Sequence, residues 1–290
     1  MHDNFRLPVT IIIPAKQESK NIGPCLESLV WADQVYVVDS HSTDGTVEIA
    51  ENMGATVVQF DYDGGWPKKK NWAIRNLDIR NDWIFIVDAD ERVPNVLREE
   101  IAVTIQNPDF DGYYVRWKFI FLGRWMKHCW SHGWMLRLIR KGSGEYEDLG
   151  MRGEGGWDNE VHENIVVEGK VGRLKNYLLH ESNSSLEFWL RKHNEFSTWD
   201  ARRRRHQLDE GVPSIFTFFS SNPIKRRRFM RALFIRLPGK PLIMFLYLYL
   251  FKIGFLDGKA GLYFCALHGA HTLNISAKLF EQAQAERTEK

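Results

Sequence analysis

Residues 83–87, Trp-Ile-Phe-Ile-Val, form a run without one polar side chain, and the run stops at Asp88-Ala89-Asp90-Glu91. Aromatic and β-branched residues without alternation predict a strand buried on both faces, and such strands belong to largely parallel sheets covered by helices. The acids then stand at the strand's carboxyl end, the edge at which open α/β sheets bind ligands. Asp88 and Asp90, two positions apart where the strand opens into a turn, can both offer oxygen to one hard divalent cation. Mg2+ or Mn2+ is held in this way by one or two carboxylates plus substrate phosphates. The same residues also suit a polar turn that caps a helix from Pro94 onward.

The segments upstream repeat the pattern of strand, loop and helix. Strands are predicted over residues 9–13, 35–38 and 56–60. Helices are predicted over 22–31, from a cap at Thr43 or Asp44 to Met53 with Gly54 as its stop, and over 68–77. Strands alternating with short helices imply right-handed βαβ units and a parallel sheet. Neither Gly-x-Gly-x-x-Gly nor Gly-x-x-x-x-Gly-Lys-Ser/Thr occurs, so no glycine cradle for phosphate is present. A phosphate-bearing ligand would then depend on metal and on cations such as Lys68, Lys69, Lys70 and Arg75, which also read as the solvated start of a helix. Cys25, Cys129 and Cys265 are widely spaced and odd in number, which indicates neither a disulfide framework nor a zinc site. That cysteine usage fits a reducing cytoplasm, and the polar, acidic N-terminus predicts no signal peptide.

Pro14-Ala15-Lys16-Gln17-Glu18, Val38-Asp39-Ser40-His41-Ser42-Thr43-Asp44-Gly45-Thr46, Lys70-Asn71-Trp72-Ala73 and Asp88-Ala89-Asp90-Glu91, in that order and spacing, resemble the family 2 glycosyltransferases with the GT-A fold. The resemblance spans about the first third of the chain. It implies an α/β domain over residues 1–185, Rossmann-like, with a mostly parallel sheet flanked by helices. By the same resemblance Glu18 and Asp39 contact the nucleoside of a sugar nucleotide, a UDP-sugar being favoured, and Pro14, Ala15, Ser40, Lys70, Asp88 and Ala89 complete that site. Asp90, with Asp88 beside it, would hold the metal on the diphosphate. Gln17 stands where one common form of the first motif has Asn.

Beyond a predicted strand over 113–121 come Trp117, Trp125, Trp130 and Trp134 with His128 and His132, which suit either a platform for a sugar ring or a core. A strand over 136–140 and another over 172–179 flank a loop containing Gly150, Gly153, Gly155 and Gly156. Inverting glycosyl transfer requires one carboxylate as base on the acceptor hydroxyl, and Asp158, Glu160 and Glu163 follow that loop. Val161-His162-Glu163, Gly172-Arg173-Leu174 and Leu179-His180-Glu181-Ser182 resemble the lipopolysaccharide-core glucosyltransferase branch of the family. That resemblance implies Glu163 as the base, with Glu160 its rival, and His180 as a further metal ligand; a lone histidine is also compatible with a hydrogen-bonded structural role.

From residue 186 the spacing of apolar residues becomes helical, and charge changes sign. Residues 1–185 carry 21 Lys and Arg against 28 Asp and Glu; residues 186–290 carry 18 against 9. The basic clusters 202–205 and 225–228 precede the apolar run 241–251, which is shorter than the ~20 residues that span a bilayer. Such a run is expected in the membrane interface, with the arginines on anionic lipid and no nucleic acid as partner. A helical, membrane-associating extension over 186–290, peripheral or monotopic at the cytoplasmic side of a bacterial inner membrane, completes the reading. The expected activity is inverting transfer of a sugar from its nucleotide to a lipid-linked or lipopolysaccharide acceptor. A nucleotidyltransferase on a related fold and an inactive membrane-docked scaffold are the alternatives.

Overall fold

The computed structural model describes residues 6–130, 133–148, 164–181, 185–209, 211–219 and 223–288. The chain divides into two compact units, Met1–Ile120 with His132–Asn183, and Phe121–Ser131 with Ser184–Lys290.

The first unit is built on β1 (Leu7–Ala15), where Val9 to Ile13 are fully buried. After α1 (Ser19–Glu27) comes β2 (Ala32–Asp39), then α2 (Thr46–Asn52), β3 (Thr56–Gln59), α3 (Lys69–Asn76), β4 (Trp83–Ile86), the two-residue β5 (Glu91–Arg92) and α4 (Asn95–Thr104). β1 pairs in parallel with β2 on one side and β4 on the other, and β2 pairs in parallel with β3. Ile11 and Ile13 join one apolar cluster with Ile22, Leu97 and Ile101, whereas Ile12 joins Val38, Ile84, Ile86 and Ala73 on the opposite face. Both faces of the sheet are therefore covered, as the unbroken apolar runs require.

Downstream lie β6 (Gly112–Phe121), β7 (Arg124–Trp125), β8 (Trp134–Arg140), β9 (Gly144–Tyr146), β10 (Ile165–Val167) and β11 (Val171–Glu181). The main sheet runs β3-β2-β1-β4-β8-β6-β11-β5, and β9 pairs with β10 in a separate antiparallel ribbon. β8 is antiparallel to both β4 and β6, and β5 is antiparallel to β11. Of these eight strands six run one way, and β8 and β5 oppose them, so the sheet is mixed; β7 pairs with β6 off this path. No helix among the described residues links β6 to β8 as a parallel crossover would need, so β8 returns beside its predecessor.

Two local expectations are corrected. The first helix ends at Glu27, and Ala32 already begins β2, because Trp31 and Ala32 are buried core residues rather than a helical face. α2 begins at Thr46 with Gly45 left-handed (φ 90°), so Asp44 acts from just outside the helix.

The second unit contains α5 (Leu186–Asp209), α6 (Pro223–Arg236), α7 (Lys240–Leu246) and the 31-residue α8 (Gly258–Thr288). α8 packs on α5 and α7. The apolar run is not one straight segment: α7 widens into a π turn at Tyr247–Phe251, a 3-10 turn follows at Gly254–Asp257, and α8 leaves at 75°. Gly261 permits this bend, since a Cβ there would stand 2.2 Å from the Gly254 carbonyl oxygen. Leu248 points into the unit, while Leu250 and Phe251 are exposed. Among the described residues no single helix is long and apolar enough to cross a membrane, although the bent pair passes on length and composition together.

Candidate active site

Parallel pairing brings the ends of β1, β2 and β4 to one edge of the sheet. Ala15 lies in register with Asp39, and the Ser40 N–H donates to the Ala15 carbonyl (3.2 Å). Asp39 is fully buried; its Oδ2 accepts from the Ser42 N–H (2.8 Å) and its Oδ1 from the Ser42 hydroxyl (2.5 Å). The loop after β1 is laced to the loop after β2. The Gln17 N–H donates to Ser42 Oγ (2.8 Å), and the Glu18 N–H donates to Thr46 Oγ1 (2.9 Å). Asn21 Nδ2 donates to Glu18 Oε2 (2.7 Å), which orients the Glu18 carboxylate. Ser40 Oγ is buried without a hydrogen-bond partner.

α3 supplies cations to the same edge. Lys68 and Lys69 are buried, and Lys69 Nζ donates to the Ala15 carbonyl (2.9 Å), so these two lysines are not a solvated helix start. Lys70 Nζ lies 3.3 Å from Asp88 Oδ1.

At the end of β4 the two aspartates have different partners. Asp88 Oδ2 accepts from Arg137 Nη2 (2.5 Å), and Arg137, fully buried on β8, also donates to Glu91 Oε1 (3.2 Å). Glu91 is itself fully buried and its Oε2 accepts from the Asp88 N–H (2.7 Å). Burial acts to raise the Asp88 pKa, but Arg137 and then Lys70 outweigh it and hold the carboxylate well below its usual range. Burial pushes Glu91 up to about 7 despite the opposing pull of Arg137. For Arg137 burial works against charge, yet Asp88 and Glu91 keep it ionised.

Asp90 faces elsewhere. The short β5 pairs with the end of β11, His180 opposite Glu91, and the Glu181 N–H donates to the Asp90 carbonyl (3.0 Å). This pairing brings His180 Nδ1 within 3.3 Å of Asp90 Oδ1. The imidazole is stacked between Trp117 and Phe119, with ring centroids 5.3 and 5.2 Å away. Burial would depress its pKa, but Asp90 more than offsets this and raises it. His180 Nδ1 makes no hydrogen bond.

The structure therefore gathers Pro14, Ala15, Glu18, Asp39, Ser40, Lys70, Asp88, Ala89, Asp90 and His180 at the carboxyl edge of the sheet and its loops. Glu160, Glu163 and Asp158 lie outside the described residues. The aromatic residues divide: Trp117 stacks on His180, Trp134 lies under Arg116 and Arg173, and Trp130 packs on Phe264 and His268 within the second unit. Sequence reasoning missed Arg137 and Glu91 as its buried partner, and it named Lys69 only as a candidate phosphate cation, not as the donor to the Ala15 carbonyl. The available signal was an arginine inside the apolar strand Met135-Leu-Arg-Leu-Ile139, because a buried cation demands a carboxylate. Among the described residues no three His, Cys, Asp or Glu side chains are grouped to hold a metal by themselves.

Comparison with known proteins bears on this edge. Residues 10–148 match the family "Glycosyl transferase family 2". The chain is 30% identical over 279 residues, 91% of this chain and 86% of the relative, to the lipopolysaccharide core biosynthesis glycosyltransferase LpsC of Rhizobium meliloti. It is 36% identical over 105 residues to the 4,4'-diaponeurosporenoate glycosyltransferase of Staphylococcus aureus, covering 34% of this chain and 27% of that one. Among solved structures, a mannosyltransferase from Pyrobaculum calidifontis in complex with GDP-Man and Mn2+ aligns with a TM-score of 0.46 and 15% identity over 95% of this chain and 87% of that one, a likeness that bears on neither substrate nor metal. With a relative of this identity matched along nearly its whole length, and the family's motifs gathered at one sheet edge, the chain belongs to glycosyl transferase family 2 and is a glycosyltransferase.

Proposed function

We propose that this glycosyltransferase moves a sugar, with inversion, from a nucleotide-sugar donor to a lipid-linked or lipopolysaccharide acceptor at the cytoplasmic face of a bacterial membrane. The observation that carries the donor half is the pairing of β5 with β11, which sets His180 against Asp90 at the edge where the β1 and β2 loops converge on Asp39 and Ser40. An oxygen and an imidazole nitrogen from this pair suit a divalent cation such as Mn2+ or Mg2+, and two protein donors leave the remaining positions to a diphosphate and water. Asp88, held by Arg137, positions the Lys70 ammonium. A bound divalent cation would supply charge stabilisation to the departing nucleoside diphosphate. Asp39, Ser40 and Glu18 would hold the nucleoside, and Lys70 would meet the diphosphate's charge. Glu163 is the proposed base, with Glu160 its rival. The acceptor half is supported by the name of the Rhizobium relative and by the exposed apolar residues and arginines of the second unit.

A thermal-shift series with sugar nucleotides, with and without Mn2+, tests the donor half. A ligand at a hundred times its Kd stabilises the native state by about 2.7 kcal/mol. UDP-sugars are expected to raise Tm in the presence of Mn2+, and Asp90→Ala is expected to abolish the Mn2+-dependent part. A full Mn2+-dependent shift in that variant would remove Asp90 from the metal site.

A further inference from the structure

The second unit contains a group of cations that ordinary surface placement does not explain. Arg203 and Arg204 lie near the end of α5, Arg231 lies on α6, and Lys240 is the first residue of α7. The three helices converge here: Arg236 Nη2 donates to the Leu208 carbonyl (3.0 Å), tying α6 to the end of α5, and Lys240 Nζ donates to the Ile235 carbonyl (2.9 Å), tying α7 to α6. Arg203, Arg204 and Lys240 are partly buried, and Arg204 Nη1 is buried with no hydrogen-bond partner. Desolvation, and then the neighbouring Arg231, lowers the pKa of Arg203. For Arg204 desolvation leads, Asp200 opposes it, and Arg231 with Arg203 adds repulsion. Lys240 is lowered by desolvation and by Arg204.

Among the described residues Asp200 is the acid that reaches the two α5 arginines, and it also faces His271, 3.5 Å from Nε2. One carboxylate shared in this way does not neutralise four cations. Like charges held together at partial burial raise the energy of the free protein, and a bound anion with several oxygens would relieve it. A phosphate group matches a guanidinium fork and has enough oxygens for two such forks and an ammonium. On α6 and just beyond it, Met230, Leu233 and Leu237 are exposed, so apolar surface borders the cations.

We propose that Arg203, Arg204, Arg231 and Lys240 form a binding site for the phosphate group of an amphiphilic lipid, with the exposed apolar residues of α6 receiving the start of its chain. The shared chemistry is the phosphate, and free phosphate is the competing source. The site is local and saturable, unlike the diffuse attraction of a basic helix for a membrane. It rests on the acceptor half of the reading above for the lipid, not for the phosphate.

The full-length chain, at constant ionic strength, is titrated with inorganic phosphate and with a short-chain phosphatidic acid below its critical micelle concentration, and Tm and Kd are read. Both probes are expected to raise Tm saturably, the lipid binding at least about tenfold more tightly, which corresponds to ~1.4 kcal/mol, because of its chain. Arg204→Gln removes one of the mutually repelling cations, so it is expected to fold with an unchanged or higher Tm and to weaken both probes at least tenfold. Arg204→Lys should restore part of the affinity. Arg226→Gln, an equal loss of charge at an exposed position of α6, should change Kd less than twofold. Equal losses in the Arg204→Gln and Arg226→Gln variants, or no saturable effect of either probe, would overturn the site. Equal affinity for the two probes would overturn the lipid and leave free phosphate. Donor binding with Mn2+ is measured separately on the same wild-type chain, so failure of the donor site and failure of this site give different results.

Discussion

Arg137 is a buried cation between two carboxylates, and its removal tests what holds the strand end in place. Arg137→Met would leave the fully buried Glu91 without its cation and Asp88 with Lys70 alone, a loss that for a broken buried pair costs about 3–5 kcal/mol. Denaturant unfolding should show a loss of about that size, and Arg137→Met with Glu91→Gln should recover part of it, since an amide can be buried neutral. Catalysis divides differently among single residues. Glu163→Gln is expected to lower kcat severely with donor affinity nearly kept, because the amide preserves shape but accepts no proton. The reverse ranking of Glu163→Gln and Glu160→Gln would assign the base to Glu160. Asp39, Asp88 and Asp90 were legible in sequence because each ends an apolar run whose direction is evident. Arg137 and the buried contact of Lys69 were not, because their partners, Asp88 with Glu91 and the Ala15 carbonyl, depend on which strands and helices become neighbours.

Between elements, short contacts fix long segments. β5 has only two residues, yet its pairing with β11 carries His180 to Asp90 across 90 positions of sequence. Asp257 plays a comparable part in the second unit. It accepts from the N–H groups of Lys127, His128 and Cys129 (3.2, 3.1 and 2.9 Å) and lies 2.8 Å from His128 Nδ1, so it pins the 121–131 segment to the start of α8. Burial acts to raise its pKa, and these hydrogen bonds outweigh that and lower it. Asp257→Ala would leave the buried Cys129 N–H unmet, at about 1–3 kcal/mol, together with the less buried Lys127 and His128 donors, and hydrogen exchange should show 127–129 losing protection first. At the bend before α8, Gly261→Ala would drive a Cβ into the Gly254 carbonyl and cost about 1–3 kcal/mol of stability, read as a fall in Tm.

For the molecule as a whole, acid and salt discriminate its properties. His193 is lowered to about 4 and His268 to about 3, in both cases first by burial; the α5–α8 packing therefore holds them neutral. Their folded pKa values lie below the ordinary 6.5, so the unfolded chain binds more protons in the interval between. Stability present above pH 6.5 should fall as pH drops, by about 1.4 kcal/mol per pH unit for each histidine, down to about pH 4 for His193 and about pH 3 for His268. A Tm series from pH 7.5 to 4.5 should show this fall, and His268→Leu should flatten it. The proposed membrane association would have its own dependence. Binding to anionic liposomes is expected to weaken with salt through the arginines, whereas Leu250→Asp with Phe251→Asp should weaken it at every salt concentration, since both side chains are exposed. Wild-type binding that is insensitive to both changes would remove the membrane from the account.

The sequence by itself determined the α/β order of the first unit, the direction of its strands β1 to β4 and the acids at their ends, because apolar runs and the residues that stop them are local signals. It also determined the charge of the second unit, which is a matter of counting. Tertiary structure alone decided that β8 returns antiparallel beside β4, and that β5 closes on β11. It also decided that the apolar run of the tail breaks into turns with Leu248 inside and Phe251 outside. These outcomes depend on which distant segments share a face, and a strand, a two-residue bridge or a helix break has no pattern of its own until its neighbour is in place.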